Sequence, residues 1–127
     1  MHITIITPVS RPLFLRKVKE SIEFNTPAEN YSWRLVGDPG RLKENAPDFF
    51  LEDGSNGEIF KLYGKNRVAG EEIIFADMEG SHWGNAQRNY AIATTDRKDT
   101  YLYFLDDDNL IHPDFWREVE KRDGEEF

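Results

Sequence analysis

The chain has 127 residues, of which 39% are hydrophobic and 31% are charged. That size and balance fit a single folded domain over residues 1–127 and argue against a disordered or membrane-spanning protein. The formal net charge of -8 argues against binding to nucleic acid through its phosphates, and the absence of cysteine excludes disulfides and thiolate metal sites.

The amino terminus enters an apolar segment at once. Residues 1–6 lack the basic start and long apolar run of a signal peptide, and no apolar run approaches the roughly 20 residues of a membrane span. We therefore expect a cytoplasmic protein without a membrane span. The β-branched run from Ile3 to Val9 predicts a first strand in the centre of the sheet, covered on both faces.

A helix is predicted after the first strand. Ser10 is a candidate N-cap with Pro12 close behind it, and apolar residues recur at helical spacing up to Phe24. The pattern ends at 25–27, where Asn, Thr and Pro follow one another. Strand, loop and helix are thus expected in that order.

The middle of the chain predicts two further strands and a helix. One of these strands covers Trp33 to Val36, with Asp38 in the turn at its end. The other covers 72–76. Between them the pattern is mixed, with a short helix near 42–45, a turn at 53–57 and an edge strand at 58–62 as expectations. The helix begins near 84, because Ala86, Tyr90 and Ala93 recur at helical spacing.

The most informative segment is an apolar run that leads directly into acids. Tyr101 to Leu105 predict a buried strand, which is followed by Asp106, Asp107 and Asp108. A final helix should open at 112–114, and its Phe115 and Trp116, together with Phe104, are expected in the core. Strands alternating with helices predict a three-layer α/β/α domain with a mostly parallel, Rossmann-like sheet.

Three of the candidate site residues or clusters fall at carboxyl ends of predicted strands, where such sheets bind ligands. They are Ser10, Asp38 and the aspartate cluster. Neighbouring carboxylates must bind a cation or repel one another. Their hard oxygens suit Mn²⁺ or Mg²⁺ holding a diphosphate, with Asp106 and Asp108 as the metal ligands.

Other interpretations of the cluster remain open. It could be a solvated acidic turn, or the Asp-x-Asp site of a phosphatase with Asp106 as nucleophile and Asp108 as acid. An EF-hand is excluded, because the loop lacks the central glycine and has Arg117 in place of the bidentate Glu. His82 and His112 could also bind a metal, although a capping or packing role suits His112 better.

Arg88 is the second candidate feature. It lies early in the predicted helix that starts near 84, where a guanidinium and the positive end of the helix dipole could grip a diphosphate opposite the carboxylates. The alternative has equal weight: Arg88 could simply pair with one of the aspartates and hold their loop in place.

Four short motifs, taken in order, resemble the nucleotide-sugar glycosyltransferases of the GT-A fold. They are Ile6-Thr7-Pro8 with Arg11-Pro12, the segment Trp33 to Asp38, Gln87-Arg88-Asn89, and Leu105 to Asn109 followed by Pro113. The layout is similar to that of the large family 2, whereas Gln-Arg-Asn and Asp-Asp-Asp-Asn are closer to the family 43 β-1,3-glucuronyltransferases. The resemblance spans nearly the whole chain and implies a short version of the GT-A fold.

This resemblance also implies a donor site, with a UDP-sugar as the expected donor and a saccharide or other hydroxyl as the acceptor. Asp38 would bind the base or ribose, and Asp108 would bind the metal that bridges the diphosphate. Family 43 members carry tyrosine where this chain has Ser10, so Arg11 or a nearby aromatic would have to replace its stacking on the base. The remaining implied donor contacts are Thr7, Pro8, Ser10, Arg88, Asp106 and Asp107.

The acceptor side is not represented by a motif. GT-A enzymes have a longer second half that supplies the acceptor site and, in inverting members, the general base, whereas this chain reaches Phe127 one helix after the acids. We therefore expect a minimal or incomplete glycosyltransferase, with a non-catalytic nucleotide-binding module or a nucleotidyltransferase as alternatives. Asp114, Glu118 and Glu120 are candidate bases only by default, and a homo-oligomer could complete the site.

Overall fold

The computed structural model of the protein describes residues 1–11, 14–37, 71–75 and 85–123. Its strands are β1 (Ile3–Val9), β2 (Tyr31–Gly37), β3 (Glu71–Phe75) and β4 (Tyr101–Phe104). Its helices are α1 (Leu15–Asn25), α2 (Asn85–Ala93) and α3 (Phe115–Lys121), and a short 3-10 helix covers Ala28–Asn30. The elements expected at 42–45, 53–57 and 58–62 lie outside the described residues.

The described strands form one parallel sheet in the order β3-β2-β1-β4. Ile5 in β1 lies opposite Trp33 in β2 on one side and Tyr103 in β4 on the other. The chain runs outward from β1 to β2 and β3 and then returns to the other side of β1. This reversal creates a topological switch point between β1 and β4, which is where open α/β sheets bind ligands.

Helices cover both faces of the sheet, and the predicted three-layer α/β/α architecture is confirmed. On one face, Ile3 and Ile5 belong to a buried cluster with Leu15, Val18 and Ile22 of α1, against which α3 packs. A smaller buried cluster lies on the other face, where Ala91 of α2 packs against Ile6 and Val36 of the sheet. Within the described ranges, no helix combines the length and apolar character needed to cross a bilayer.

The helices differ from expectation in where they start and which face they bury. α1 begins at Leu15, and its N-cap, Phe14, makes no side-chain capping bond, so Ser10 is not the cap. Phe24, expected on the apolar face of α1, is 90% exposed. In α2 the buried residues are Gln87 and Ala91 rather than Ala86, Tyr90 and Ala93. Ala91 is fully buried against the sheet, and Tyr90 is partly buried and packs against the same cluster.

The expectation that β4 is buried was wrong. β4 pairs with β1 and is the outermost strand of the described sheet. Its residues Leu102, Tyr103 and Phe104 are 41%, 38% and 45% exposed, so Phe104 is not a core residue. Phe115 and Trp116 are partly buried and pack against the larger cluster, as expected.

His2 lies just before β1, at the end of the sheet opposite the aspartates. It is buried, with its Nδ1 2.7 Å from the Thr100 hydroxyl and its Nε2 3.1 Å from the Ser32 hydroxyl. Burial, reinforced by the positive charge of Arg97, lowers the pKa of His2 below its ordinary value of 6.5, and Asp99 opposes this shift. The folded state therefore favours the neutral imidazole.

This pKa shift predicts that the protein loses stability under mild acid. The unfolded state binds a proton at His2 more readily, so the contribution of His2 to stability is complete above about pH 6.5 and declines as the pH falls toward the lower pKa of the folded state. Urea unfolding at several values between about pH 5 and pH 8 measures this decline. His2→Gln should show a shallower decline than the natural chain, and parallel curves for the two proteins would contradict the assignment.

Candidate active site

Three consecutive aspartates, Asp106–Asp108, form a turn at the switch point; we call them the acid corner. The Leu105 amide donates to the Ile6 carbonyl at 3.0 Å, which fixes the start of the turn against β1. The Asn109 amide donates to the Asp106 carbonyl at 3.2 Å and closes the turn. Since Leu105 and Ile111 are buried on either side, the corner is held at both ends.

Asp107 is the buried member of the acid corner, with 3% of its surface exposed. Its Oδ2 accepts hydrogen bonds from the backbone amides of Ser10 at 3.0 Å and Arg11 at 2.8 Å. These two amides belong to the loop that follows β1. One carboxylate therefore ties the loop after β1 to the turn after β4.

Two arginines face the more exposed members of the corner. Arg11 Nη2 lies 3.3 Å from Asp108 Oδ2 and 3.4 Å from Asp107 Oδ1. Arg88 Nη2 donates to Asp106 Oδ1 at 3.1 Å, and its Nη1 donates to Asn85 Oδ1 at 3.2 Å. Arg88 thus pairs with an aspartate, as one of the two interpretations of its sequence position expected. Three carboxylates and two guanidiniums leave one formal negative charge at the corner.

The other expected donor contacts fall in different places. Thr7 is buried, and its hydroxyl accepts a hydrogen bond from Trp33 Nε1 at 2.9 Å, so its side chain lies in the core rather than at the corner. Pro8 is partly buried near the end of β1. Asp38 and His82 lie outside the described residues. The corner therefore brings together Ser10, Arg11, Arg88 and Asp106–Asp108 among the expected site residues.

The candidates on and near α3 make local surface contacts. His112 Nδ1 accepts the Asp114 amide at 3.0 Å, and since Asp114 is the residue before α3, this contact does not cap the amides of the helix. Asp114 pairs with Arg117 at 2.7 Å, and Glu118 pairs with Lys121 at 3.4 Å. None of these contacts distinguishes a general base.

Gln87 is a feature that the sequence suggested only as part of a motif. It is almost completely buried, and neither atom of its carboxamide has a hydrogen-bond partner within the described part of the chain. It lies one helical turn before Ala91 on the same face of α2. Because its neighbour Arg88 reaches Asp106, Gln87 lies toward the carboxyl edge of the sheet. A glutamine in a helical motif gives no signal of such burial.

The acid corner presents two exposed carboxylates but no complete set of protein ligands for a metal ion. Among the residues that the structure describes, no group of three or more His, Cys, Asp or Glu side chains is arranged to hold a metal by itself. The side chains of Asp106 and Asp108 are 55% and 40% exposed and offer two hard carboxylates. Mg²⁺ is commonly bound in this way, by one or two carboxylates together with substrate phosphates and water.

The architecture is similar to that of a known glycosyltransferase. The fold aligns with the crystal structure of residues 1–349 of S. aureus TarS with a TM-score of 0.61 and 13% sequence identity. The alignment covers 95% of this chain and 32% of the TarS chain, so this chain spans about a third of that structure. TarS is a GT-A-like glycosyltransferase, and the likeness supports a glycosyltransferase-type fold. No protein-family model matches the sequence, and no curated protein does.

Proposed function

We propose that the chain binds a nucleotide-diphospho-sugar at the acid corner and serves in transfer of the sugar to an acceptor hydroxyl. A UDP-sugar is the proposed donor, as the motifs imply. One observation carries the proposal: three carboxylates and two arginines from separate parts of the chain meet at the switch point of a parallel sheet. The similarity of the fold to a glycosyltransferase supports it.

The charge of the corner favours a divalent cation in this role. A diphosphate is an anion, and the corner carries one formal negative charge after its arginines are counted. The diphosphate and the corner would therefore repel each other directly. A divalent cation on Asp106 and Asp108 would make the net charge of the corner positive. When bound, Mn²⁺ or Mg²⁺ would supply Lewis acidity toward the departing nucleoside diphosphate.

The protein groups would divide the remaining work. Asp107 would keep the loop after β1 in place, because both of its oxygens already face donors from that loop. Arg11 and Arg88 would exchange part of their contact with Asp108 and Asp106 for phosphate oxygens, which guanidinium binds in a bidentate manner. Asp38 remains the proposed contact to the base or ribose.

Calorimetric titration of the chain with UDP and GDP, with and without Mn²⁺, tests the proposal. We expect UDP to bind in the presence of Mn²⁺ and to bind at least about tenfold more weakly without it, since the cation removes the repulsion at the corner. The matched nucleoside uridine, which lacks phosphate, should show no dependence on the metal. If UDP affinity is the same with and without metal, the acid corner does not bind the diphosphate.

A second measurement separates an enzyme from a binding module. Hydrolysis of UDP-sugar in the absence of acceptor, measured as released UDP, would favour a catalytic site. Metal-dependent nucleotide binding without donor hydrolysis would favour a module that holds the donor only. A covalent acyl-phosphate mimic on Asp106 would instead indicate the Asp-x-Asp phosphatase.

A further inference from the structure

Gln87 is a buried polar side chain that the described part of the chain leaves without a hydrogen-bond partner. It is 1% exposed, and both the Nε2 and the Oε1 atom of its carboxamide are enclosed and unpaired. A buried amide that makes no hydrogen bond has lost its hydration without compensation, which destabilises a fold. Such a carboxamide is suited to a ligand that supplies one hydrogen-bond donor and one acceptor side by side.

Gln87 lies toward the same edge of the sheet as the acid corner. It shares the buried face of α2 with Ala91, which packs against Ile6 of β1 and Val36 of β2. Gln87 is one helical turn from Ala91, in the direction of the end of α2 that contacts the acid corner. The carboxamide therefore lies near the carboxyl ends of β1 and β2, beside the apolar cluster on that face.

The two ends of α2 are attached to the rest of the domain in different ways. Near the carboxyl end, Nη1 of the buried Arg34 donates to the Ala91 carbonyl at 2.8 Å. Near the amino end, Arg88 pairs with Asp106 at 3.1 Å, and their side chains are 25% and 55% exposed. A partly exposed ion pair exchanges partners more easily than a buried hydrogen bond. A diphosphate that binds Arg88 thus loosens the end of α2 that carries Gln87.

We propose that the Gln87 carboxamide hydrogen-bonds the edge of the nucleotide base when the donor is bound. The inference rests on the proposed function, in which the diphosphate lies at the acid corner and the nucleoside extends along the carboxyl edge toward β2. The N3–H and O4 groups of uracil match Oε1 and Nε2 of a carboxamide in two parallel hydrogen bonds. The apolar cluster with Ile6 and Val36 suits the flat face of a base better than the hydroxyls of ribose. Gln87 thus costs stability in the unliganded chain and contributes to binding.

Gln87→Met tests whether the carboxamide is unpaired when no nucleotide is bound. Methionine has nearly the same length as glutamine and no polar group that needs a partner. We expect the melting temperature of the unliganded chain to rise by about 4 °C, because two unpaired polar atoms leave the interior. Ala93→Met, at an exposed position of the same helix, is the matched control and should change the melting temperature by less than about 2 °C. A lower melting temperature for Gln87→Met would show that the carboxamide already has a partner, such as an internal water, and would overturn the proposal.

Calorimetry in the presence of Mn²⁺ tests the contact with the base. The probes are UDP, 3-methyl-UDP, whose base has lost the N3–H donor, and ribose 5-diphosphate, which has no base. We expect the natural chain to bind UDP about tenfold more tightly than 3-methyl-UDP, because the methyl group leaves the carboxamide oxygen without its donor. Gln87→Met should bind UDP about tenfold more weakly than the natural chain and should not distinguish UDP from 3-methyl-UDP. Both proteins, and Ala93→Met, should bind ribose 5-diphosphate equally.

The outcomes separate this inference from the proposed function. If Gln87→Met binds UDP as tightly as the natural chain, or discriminates against 3-methyl-UDP to the same extent, Gln87 does not contact the base, whereas the acid corner keeps its proposed role. Equal losses of UDP and ribose 5-diphosphate would show that the substitution disturbs Arg88 and would also overturn the contact with the base. If the natural chain binds neither UDP nor ribose 5-diphosphate with Mn²⁺, the proposed function fails and this inference fails with it.

Discussion

Asp107→Ala is expected to lower the free energy of unfolding by about 3 kcal/mol, because it removes two charge-assisted hydrogen bonds of about 1.5 kcal/mol each. The Asp107 carboxylate is buried and accepts the Ser10 and Arg11 amides at 3.0 and 2.8 Å. Its loss leaves these amides without their partner and separates the loop after β1 from the turn after β4. Urea denaturation followed by circular dichroism measures the change.

Two further variants show whether the loss belongs to this contact. Asp107→Asn keeps an oxygen that can accept both amides but loses the charge, so we expect a loss between those of alanine and the natural residue. Asp96→Ala is the matched control, because Asp96 is an exposed aspartate before β4, and it should change stability by less than about 0.5 kcal/mol. If Asp107→Ala is no more destabilising than Asp96→Ala, Asp107 does not hold the two loops together.

The α/β architecture could be predicted because its signals are local. β-branched residues fill β1 apart from Pro8, and helical spacing precedes the break at 25–27, so strand and helix could be distinguished by period alone. Alternation of such segments implies a parallel sheet, and carboxyl ends of parallel strands meet at one edge. That argument placed Ser10 and the aspartates together, and the structure confirms their proximity through Asp107.

The differences among the three aspartates could not be predicted in the same way. All three residues are aspartates, and their roles depend on contacts with residues that are distant in the chain, 18 positions away for Asp106 and 96 or 97 positions away for Asp107 and Asp108. The turn directs Asp107 inward to the loop after β1, whereas Asp106 meets Arg88 and Asp108 meets Arg11. The burial of α2 and the exposure of β4 were missed for a related reason. Both are set by which neighbouring elements are present, and hydrophobicity of a segment does not report that.

This division of roles has a consequence for the site. A carboxylate whose oxygens are occupied by protein donors is a poor candidate for exchange with a ligand, whereas exposed carboxylates in surface ion pairs exchange readily because such pairs are weak. Asp107 should therefore govern stability, and Asp108 should govern ligand binding. Variants of Asp107 and Asp108 should therefore separate an effect on stability from an effect on ligand binding.

Asp108→Ala is expected to reduce Mn²⁺-dependent UDP affinity by about 100-fold or more, since loss of a metal ligand should cost at least as much as loss of an outer-shell group. Its effect on unfolding should stay below about 1 kcal/mol, because its pair with Arg11 is solvent-exposed. Without metal, the variant should bind UDP at least as well as the natural chain, because one negative charge is gone and Arg11 is released. Calorimetry with and without Mn²⁺ measures both affinities.

Comparison with Asp108→Asn and Asp96→Ala makes this prediction specific. The asparagine keeps the size of the side chain and an oxygen for Arg11 but is a weaker metal ligand. UDP affinity of this variant should therefore also no longer increase when Mn²⁺ is added. Asp96→Ala removes the same formal charge away from the corner and should leave the metal-dependent affinity unchanged. If both alanine variants reduce affinity equally, the effect is one of overall charge. If neither variant reduces affinity, Asp108 does not hold the cation, and the acid corner is not the metal site.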